Sequence, residues 1–219
     1  MRNQRRAALA FSLLLALPLA ACSTADSEGD PKPDLNSVTQ IPESWLQQTA
    51  DGWESSDGYG LEYPVLSEGE CLLAEKMPRI LDKRAKITNV GWGSYANDTE
   101  GYRYICDFWR RDMYAGDLQI IQASNSADAQ AAYDEFKNTP STPEQDNTVE
   151  TVTSGNLEVL VLTRWYPTNP QGYYSALYYD EDAQALFIIE INSLSKENFD
   201  ALSPQDVADL LVGLMATAQ

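Results

Sequence analysis

Residues Leu157 to Tyr166 are apolar on both sides of an extended chain. Val159, Val161 and Thr163 point one way, Leu160 and Leu162 the other. Side chains of a strand alternate between two faces, so this segment suits only an interior strand covered on both sides. Val149 to Thr153 precedes it through Ser154-Gly155-Asn156, a hairpin signal. Tyr173 to Tyr179 and Ala185 to Ile191 form a second hairpin about Asp180-Glu181-Asp182. The chain is therefore organised around a sheet with layers on both faces.

Upstream lie three more strand signals. Ile87 to Trp92 is the weakest. Gly101 to Arg110 alternates cleanly, with Tyr102, Tyr104, Cys106 and Phe108 on one face and Arg103, Ile105, Asp107 and Trp109 on the other. Leu118 to Ala123 returns after the Asp112 to Gly116 connection. Helices are predicted between and around the strands. Leu73, Met77, Ile80 and Leu81 share a helical face interrupted by Pro78. Ser124-Asn125-Ser126 caps a helix whose buried side is Ala129, Ala132, Tyr133 and Phe136. Ser203-Pro204-Gln205-Asp206 opens a last helix with Val207, Leu210, Leu211, Leu214 and Met215 as its apolar stripe. Ile41 to Trp53 allows a short helix lying against the domain. The expected class is α+β: a mostly antiparallel sheet of about six or seven strands, about three packed helices and one disulfide.

The N-terminus reads differently. Arg2, Arg5 and Arg6 precede an apolar run from Ala7 to Leu17, and Leu19-Ala20-Ala21-Cys22 follows Pro18. This has the layout of a secretory signal, and its last four residues resemble a bacterial lipobox, which implies a lipidated Cys22 and attachment to the cell membrane on its extracytoplasmic face. The expected organisation is a signal peptide over 1–21, a lipidated cysteine and flexible tether over 22–60, and a single extracytoplasmic domain over 61–219. Acyl chains on Cys22 would make the membrane a partner.

Charge and missing residue types narrow the chemistry. The chain holds 33 acidic against 15 basic residues, a formal net charge of −18. Such a surface repels phosphate backbones and disfavours nucleic acid as a partner. Histidine is absent, which excludes Ser-His-Asp and Cys-His nucleophilic machinery and His-ligated zinc. With Cys22 acylated, Cys71 and Cys106 remain as one disulfide or as two buried thiols, and an exported setting favours the disulfide. No cofactor motif and no metal-ligand pattern is present; the Asp180-Glu181-Asp182 turn lacks the rest of a calcium loop.

Taken together, the lipobox, the polar tether, Glu70-Cys71-Leu72-Leu73 and Tyr104-Ile105-Cys106-Asp107-Phe108-Trp109 resemble small cell-envelope lipoproteins of actinobacteria that carry a domain of unknown function. That domain is similar in turn to the extracellular sensor domain of mycobacterial receptor kinases. The resemblance implies a sensor-like or binding role and supplies no catalytic residue.

The most suggestive stretch for a site is Arg164 to Tyr174. Trp165, Tyr166, Tyr173 and Tyr174 with Asn169 offer flat faces and an amide, the chemistry of a saccharide or peptide platform. The competing reading is that these aromatics pack the sheet. The function expected from sequence is a non-catalytic binding or sensor-like lipoprotein domain for an envelope glycan, small ligand or protein. Its alternatives are a carboxylate-dependent hydrolase acting on cell-wall polymer and a structural envelope protein.

Overall fold

The structure is a computed structural model that describes residues 33–55, 70–73, 86–95 and 98–218. The signal peptide, Cys22 and most of the helix expected through Leu73, Met77, Ile80 and Leu81 lie outside the described residues; the described piece of it, Glu70 to Leu73, is a bend and not a helix. Among those described, a short 3-10 turn at Leu35–Ser37 leads to α1 (Glu43–Ser55). Three strands follow: β1 (Lys86–Tyr95), β2 (Asp98–Arg110) and β3 (Met113–Gln122). Then come α2 (Ser126–Lys137), β4 (Asp146–Ser154), β5 (Leu157–Tyr166), β6 (Gln171–Asp180) and β7 (Ala185–Leu194), and finally α3 (Lys196–Asp200) and α4 (Pro204–Ala216).

All seven strands form one antiparallel sheet in the order β1-β2-β3-β7-β6-β5-β4. Two meanders build it. The first is β1-β2-β3. α2 then crosses the sheet, and β4 starts at the far edge. Each following hairpin steps back inward until β7 pairs with β3, in register from Gly116↔Ile191 to Gln122↔Ala185. β5 is interior, between β4 and β6, as its two apolar faces require.

One face holds the main core. Tyr102, Tyr104, Cys106, Phe108, Leu118, Ile120, Phe187, Ile189 and Ile191 bury there with Val159, Val161 and Ala176. α1 and α4 cover it. The α4 stripe of Val207, Leu211 and Met215 is fully or almost fully buried. Its start is fixed by a capping box: Ser203 Oγ accepts from Asp206 N at 3.2 Å, and Ser203 N donates to Asp206 Oδ2 at 2.8 Å. Removing the cap by Ser203→Ala should cost about 1 kcal/mol, measured by urea unfolding. An unchanged midpoint would mean that Pro204 alone sets the helix start.

Residues 33–55 were expected to belong to a tether or to lie against the domain. They are part of the core. Val38 and Ile41 are fully buried, and Trp45 packs on Phe187 at 5.2 Å between ring centres. Ile41 N donates to Asp180 Oδ2 at 2.9 Å, while Asp180 Oδ1 accepts from Ala183 N at 3.0 Å. Asp180 thus joins the N-terminal segment to the β6–β7 turn. Thr49, fully buried, shares a hydrogen bond with the Tyr102 hydroxyl at 2.7 Å, and Trp92 Nε1 donates to Thr49 O. The folded unit runs from Pro33, well before the boundary expected at residue 61.

Cys71 and Cys106 form the disulfide, with Cα atoms 5.7 Å apart. The bond lies in the main core, on the face that carries Tyr104 and Phe108. Beside it, Leu72 N donates to the Tyr104 hydroxyl at 3.1 Å, and burial pushes that phenol up to about 12.

The second face carries a smaller apolar cluster under α2. Ile121, Leu160, Leu177, Leu186 and Ile188 meet Ala129, Ala132, Tyr133 and Phe136. α2 begins at Asn125, whose side chain accepts from Asp128 N at 3.0 Å. The helix covers only part of this face, and the polar residues of β2, β3, β6 and β7 lie beyond it.

Candidate functional site

The strand registers align a ribbon of polar side chains diagonally across the second face. Arg103 on β2 pairs with Ile121 of β3, and Gln119 lies two residues along β3. Gln119 pairs with Ile188 of β7, and Glu190 lies two residues along. Glu190 pairs with Ser175 of β6, and Tyr173 lies two residues along, directly opposite Arg164 of β5. A two-residue step keeps each side chain on the same face. Five adjacent strands therefore each contribute one member: Arg103, Gln119, Glu190, Tyr173 and Arg164.

These five residues form one side of a trough of about 400 Å³. Its other wall is α2, through Ala132, Glu135 and Phe136, with Thr139 just beyond the helix. Leu162, Leu177 and Ile188 add apolar surface between the two walls. The volume is in the range of small-molecule sites, and the mixture of apolar lining with a few convergent polar groups is also typical of them.

A row of acids meets the ribbon at Glu190. Asp107, Asp117 and Glu190 are cross-strand partners on β2, β3 and β7. Like charges directly opposite one another destabilise a sheet, so this row must be neutralised in part. Hydrogen bonds do some of it. Asp117 Oδ2 accepts from the Tyr114 hydroxyl and Oδ1 from Gln119 Nε2 at 2.8 Å. The Tyr173 hydroxyl donates to Glu190 Oε1, and Asn89 Nδ2 donates to Asp107 Oδ2 at 3.4 Å.

Burial does the rest. Asp117 is 2% exposed, and desolvation with the facing Glu190 charge drives its carboxyl well above the usual range. Desolvation also raises Glu190, against the opposing pull of the Tyr173 hydrogen bond and of Arg164 and Arg103. Asp107 is raised by burial, with Asn89 and Arg103 acting the other way. Two facing carboxyls with raised pKa values, one buried and one half-buried, hold protons that isolated ones would release, and they titrate as a pair. Tyr114 and Tyr173 are pushed far upward by desolvation and the neighbouring acids, and stay neutral donors.

The two arginines differ. Arg164 Nε donates to Asn147 Oδ1 at 2.8 Å and Nη1 to the Tyr166 hydroxyl at 3.4 Å, and its guanidinium lies 5.1 Å from the Tyr173 ring centre. The Arg103 guanidinium donates no hydrogen bond to a described residue and acts on Asp107 and Glu190 through space.

The residues singled out from sequence are divided between the two faces. Trp165 and Tyr174 point to the main-core side, where Phe199 of α3 packs on both, at 5.2 and 5.0 Å. The Tyr174 hydroxyl donates to Leu202 O at 2.9 Å, and Lys196 Nζ lies 5.4 Å from the Trp165 ring centre. Tyr166 and Tyr173 point to the opposite side, with Arg164. Asn169 is exposed in the turn joining β5 and β6. A single platform of all five is not formed; of the five, Tyr173 lines the trough and Tyr166 braces Arg164.

Sequence reasoning passed over Arg103, Asp117, Gln119 and Glu190. The signal was present locally: Asp117 and Gln119 alternate with Leu118 and Ile120, and Glu190 interrupts Leu186-Phe187-Ile188-Ile189-Glu190-Ile191. A charged residue in an otherwise apolar interior strand needs a partner. Among the described residues, no group of three or more cysteine, aspartate and glutamate side chains is arranged to hold a metal ion, and no helix is long and apolar enough to cross a membrane. No protein-family model, no curated protein and no solved structure matches the chain. The fold and trough define a class only by their own architecture: one antiparallel sheet, helices on both faces, and an elongated cleft beside the helix of the second face.

Proposed function

We propose that this chain is an extracytoplasmic lipoprotein, anchored to the cell membrane through Cys22, whose domain binds a small ligand in the trough beside α2. The observation that carries the binding reading is the diagonal ribbon from Arg103 to Arg164, five polar side chains aligned beside an apolar floor and faced by α2. A purely structural sheet face would have no need of a guanidinium that bonds no described residue beside a half-buried carboxyl in the same cleft. The anchor reading rests on the Leu19-Ala20-Ala21-Cys22 motif, and the likeness to actinobacterial envelope lipoproteins remains part of the proposal.

Two measurements test it. Mass spectrometry of the protein from a lipoprotein-processing bacterial host should show an acylated Cys22 as the first residue, and Cys22→Ala should release the domain from the membrane fraction. A chain that keeps Met1 and carries no acyl group would overturn the anchor. For binding, crosslinking on intact cells should retain a ligand or partner on wild-type protein and lose it when Phe136→Asp fills the trough wall with charge.

The carboxyl pair favours one second reading, a carboxylate-dependent hydrolase. In that reading Glu190 is the acid, since it lines the trough and has a raised pKa. Asp117 suits the reading poorly, because both its oxygens are occupied by Tyr114 and Gln119. Release of soluble fragments from purified cell-wall polymer by wild-type protein, abolished in Glu190→Gln, would establish the hydrolase over the binder.

A further inference from the structure

Building on the trough as a binding site, we propose that its ligand is an elongated amphiphile with an anionic group at each end, of which an α,ω-dicarboxylate is the simplest chemical form. The ends of the trough set the charge. Arg103 stands at one and Arg164 at the other, with Gln119, Glu190 and Tyr173 between them. Flat-sheet spacing over four strand steps and six residues of offset separates the two arginine backbones by roughly 27 Å. With Arg164 bonded to Asn147 of the outer strand β4, the two guanidiniums stand too far apart for one compact anion to engage both.

The ends are also the available donors. Arg103 spends no hydrogen bond on a described residue, and a guanidinium that faces a cleft unpaired is the group best suited to grip a carboxylate in a bidentate pair. Arg164 is held in place by Asn147, Tyr166 and the Tyr173 ring, leaving guanidinium N–H groups beyond the two bonds those oxygens accept.

The middle of the trough sets the body. Beside the ribbon, Leu162, Leu177 and Ile188 give the trough an apolar floor, and Phe136 of α2 adds to it from the other wall, which suits a methylene or aromatic chain rather than a fully hydroxylated one. The central carboxyls do not oppose an anionic ligand as two full charges. Asp117 is buried, Glu190 half-buried opposite it, and each is raised by desolvation, so the pair retains a proton. Glu135, on the rim of the α2 wall, disfavours a third anionic group in mid-chain.

The test uses the full domain and three aliphatic probe classes of matched length: dicarboxylates (octanedioate, decanedioate and dodecanedioate), the corresponding monocarboxylates, and the corresponding diamines. Affinity is read by calorimetry, and the binding place by amide chemical-shift changes. Dicarboxylates should bind at least tenfold tighter than monocarboxylates at one preferred length, with shifts centred on β2, β5 and α2. Arg103→Gln should remove that advantage and Arg103→Lys should restore part of it. Because the Arg103 side chain makes no hydrogen bond to a described residue, neither variant should disturb folding, which the unperturbed remainder of the amide spectrum checks. Equal binding of mono- and dicarboxylates, tighter binding of diamines, or an advantage that survives Arg103→Gln would overturn the dianion while leaving the trough as a binding site. Silence of the trough residues towards all three classes would count against both.

Discussion

Replacing both disulfide cysteines, Cys71→Ala with Cys106→Ala, should destabilise the domain by about 4 kcal/mol. The magnitude follows from the loop that the bond closes, whose ends are 35 residues apart in sequence. In the chain-entropy account a cross-link of that span removes much of the freedom of the unfolded chain. A single domain has about 5–15 kcal/mol in total, so the loss takes a large share of it. Few other described contacts compensate. The Cys71 segment is held otherwise by the buried side chain of Leu73 and by the bond from Leu72 N to the Tyr104 hydroxyl. The expected readout is a fall in urea midpoint of roughly 1.5 M, for a slope of about 2.5 kcal/mol per molar. A shift below about 0.3 M would mean that the unfolded chain is already compact about this loop, and the entropic account would fail here. Because Cys106 is fully buried and Cys71 nearly so, a reductant should act on the native protein only as fast as this region opens.

How far the sequence alone reaches is seen best where it succeeds and fails within one hairpin. The apolar run on both sides of β5 forces an interior position, and β5 has one. The alternation of Tyr102, Tyr104, Cys106 and Phe108 correctly assigns Cys106 to the core face. These are local consequences of a two-residue period. The stretch from Arg164 to Tyr174 shows the limit. Read as a string, its aromatics form a cluster; read in register, Arg164 faces Tyr173 while Thr163 faces Tyr174, and the cluster divides. Register depends on the turn, and one residue of slip exchanges the faces.

The acidic row was hidden for a different reason. Asp117 and Glu190 are 73 residues apart, and only the placement of β7 beside β3 makes them neighbours. That placement follows from α2 carrying the chain to the far edge, which no local pattern records. The N-terminal segment fails in a third way. α1 has only two buried residues, Trp45 and Thr49, so its periodicity is faint. Its place in the core comes from single long-range contacts, Trp45 on Phe187 and Ile41 on Asp180.

The paired carboxyls give the second large expectation: the domain should lose stability as pH rises above the ordinary carboxylate range. Both Asp117 and Glu190 are raised in the folded protein. An acid with a raised folded pKa binds more protons native than unfolded at any pH between its unfolded and folded values. Its contribution is complete below about pH 4, where both states are protonated, and is lost as pH climbs through the folded value. For each extra proton held, unfolding free energy should fall by about 1.4 kcal/mol per pH unit across that window. Other charges facing the pair modify the slope without reversing it. Arg103 and Arg164 favour the ionised form of Glu190 and narrow its window, whereas the Glu190 charge itself widens that of Asp117. Asp107, also raised, adds in the same direction, and Tyr114 and Tyr173 remain protonated throughout. Urea unfolding at about pH 4.5, 6 and 7.5 should therefore show a declining midpoint in wild type. Asp117→Asn, which keeps an oxygen for the Tyr114 hydroxyl but removes the titration, should flatten the decline and raise stability at the highest pH. Asp200→Asn, at an exposed surface pair with Lys196, is the control and should leave the slope unchanged. If Asp117→Asn retains the wild-type slope, the proton is held elsewhere and the pair does not share it. If it lowers stability equally at every pH, Asp117 is ionised in the fold and the sheet face is held together by its charge.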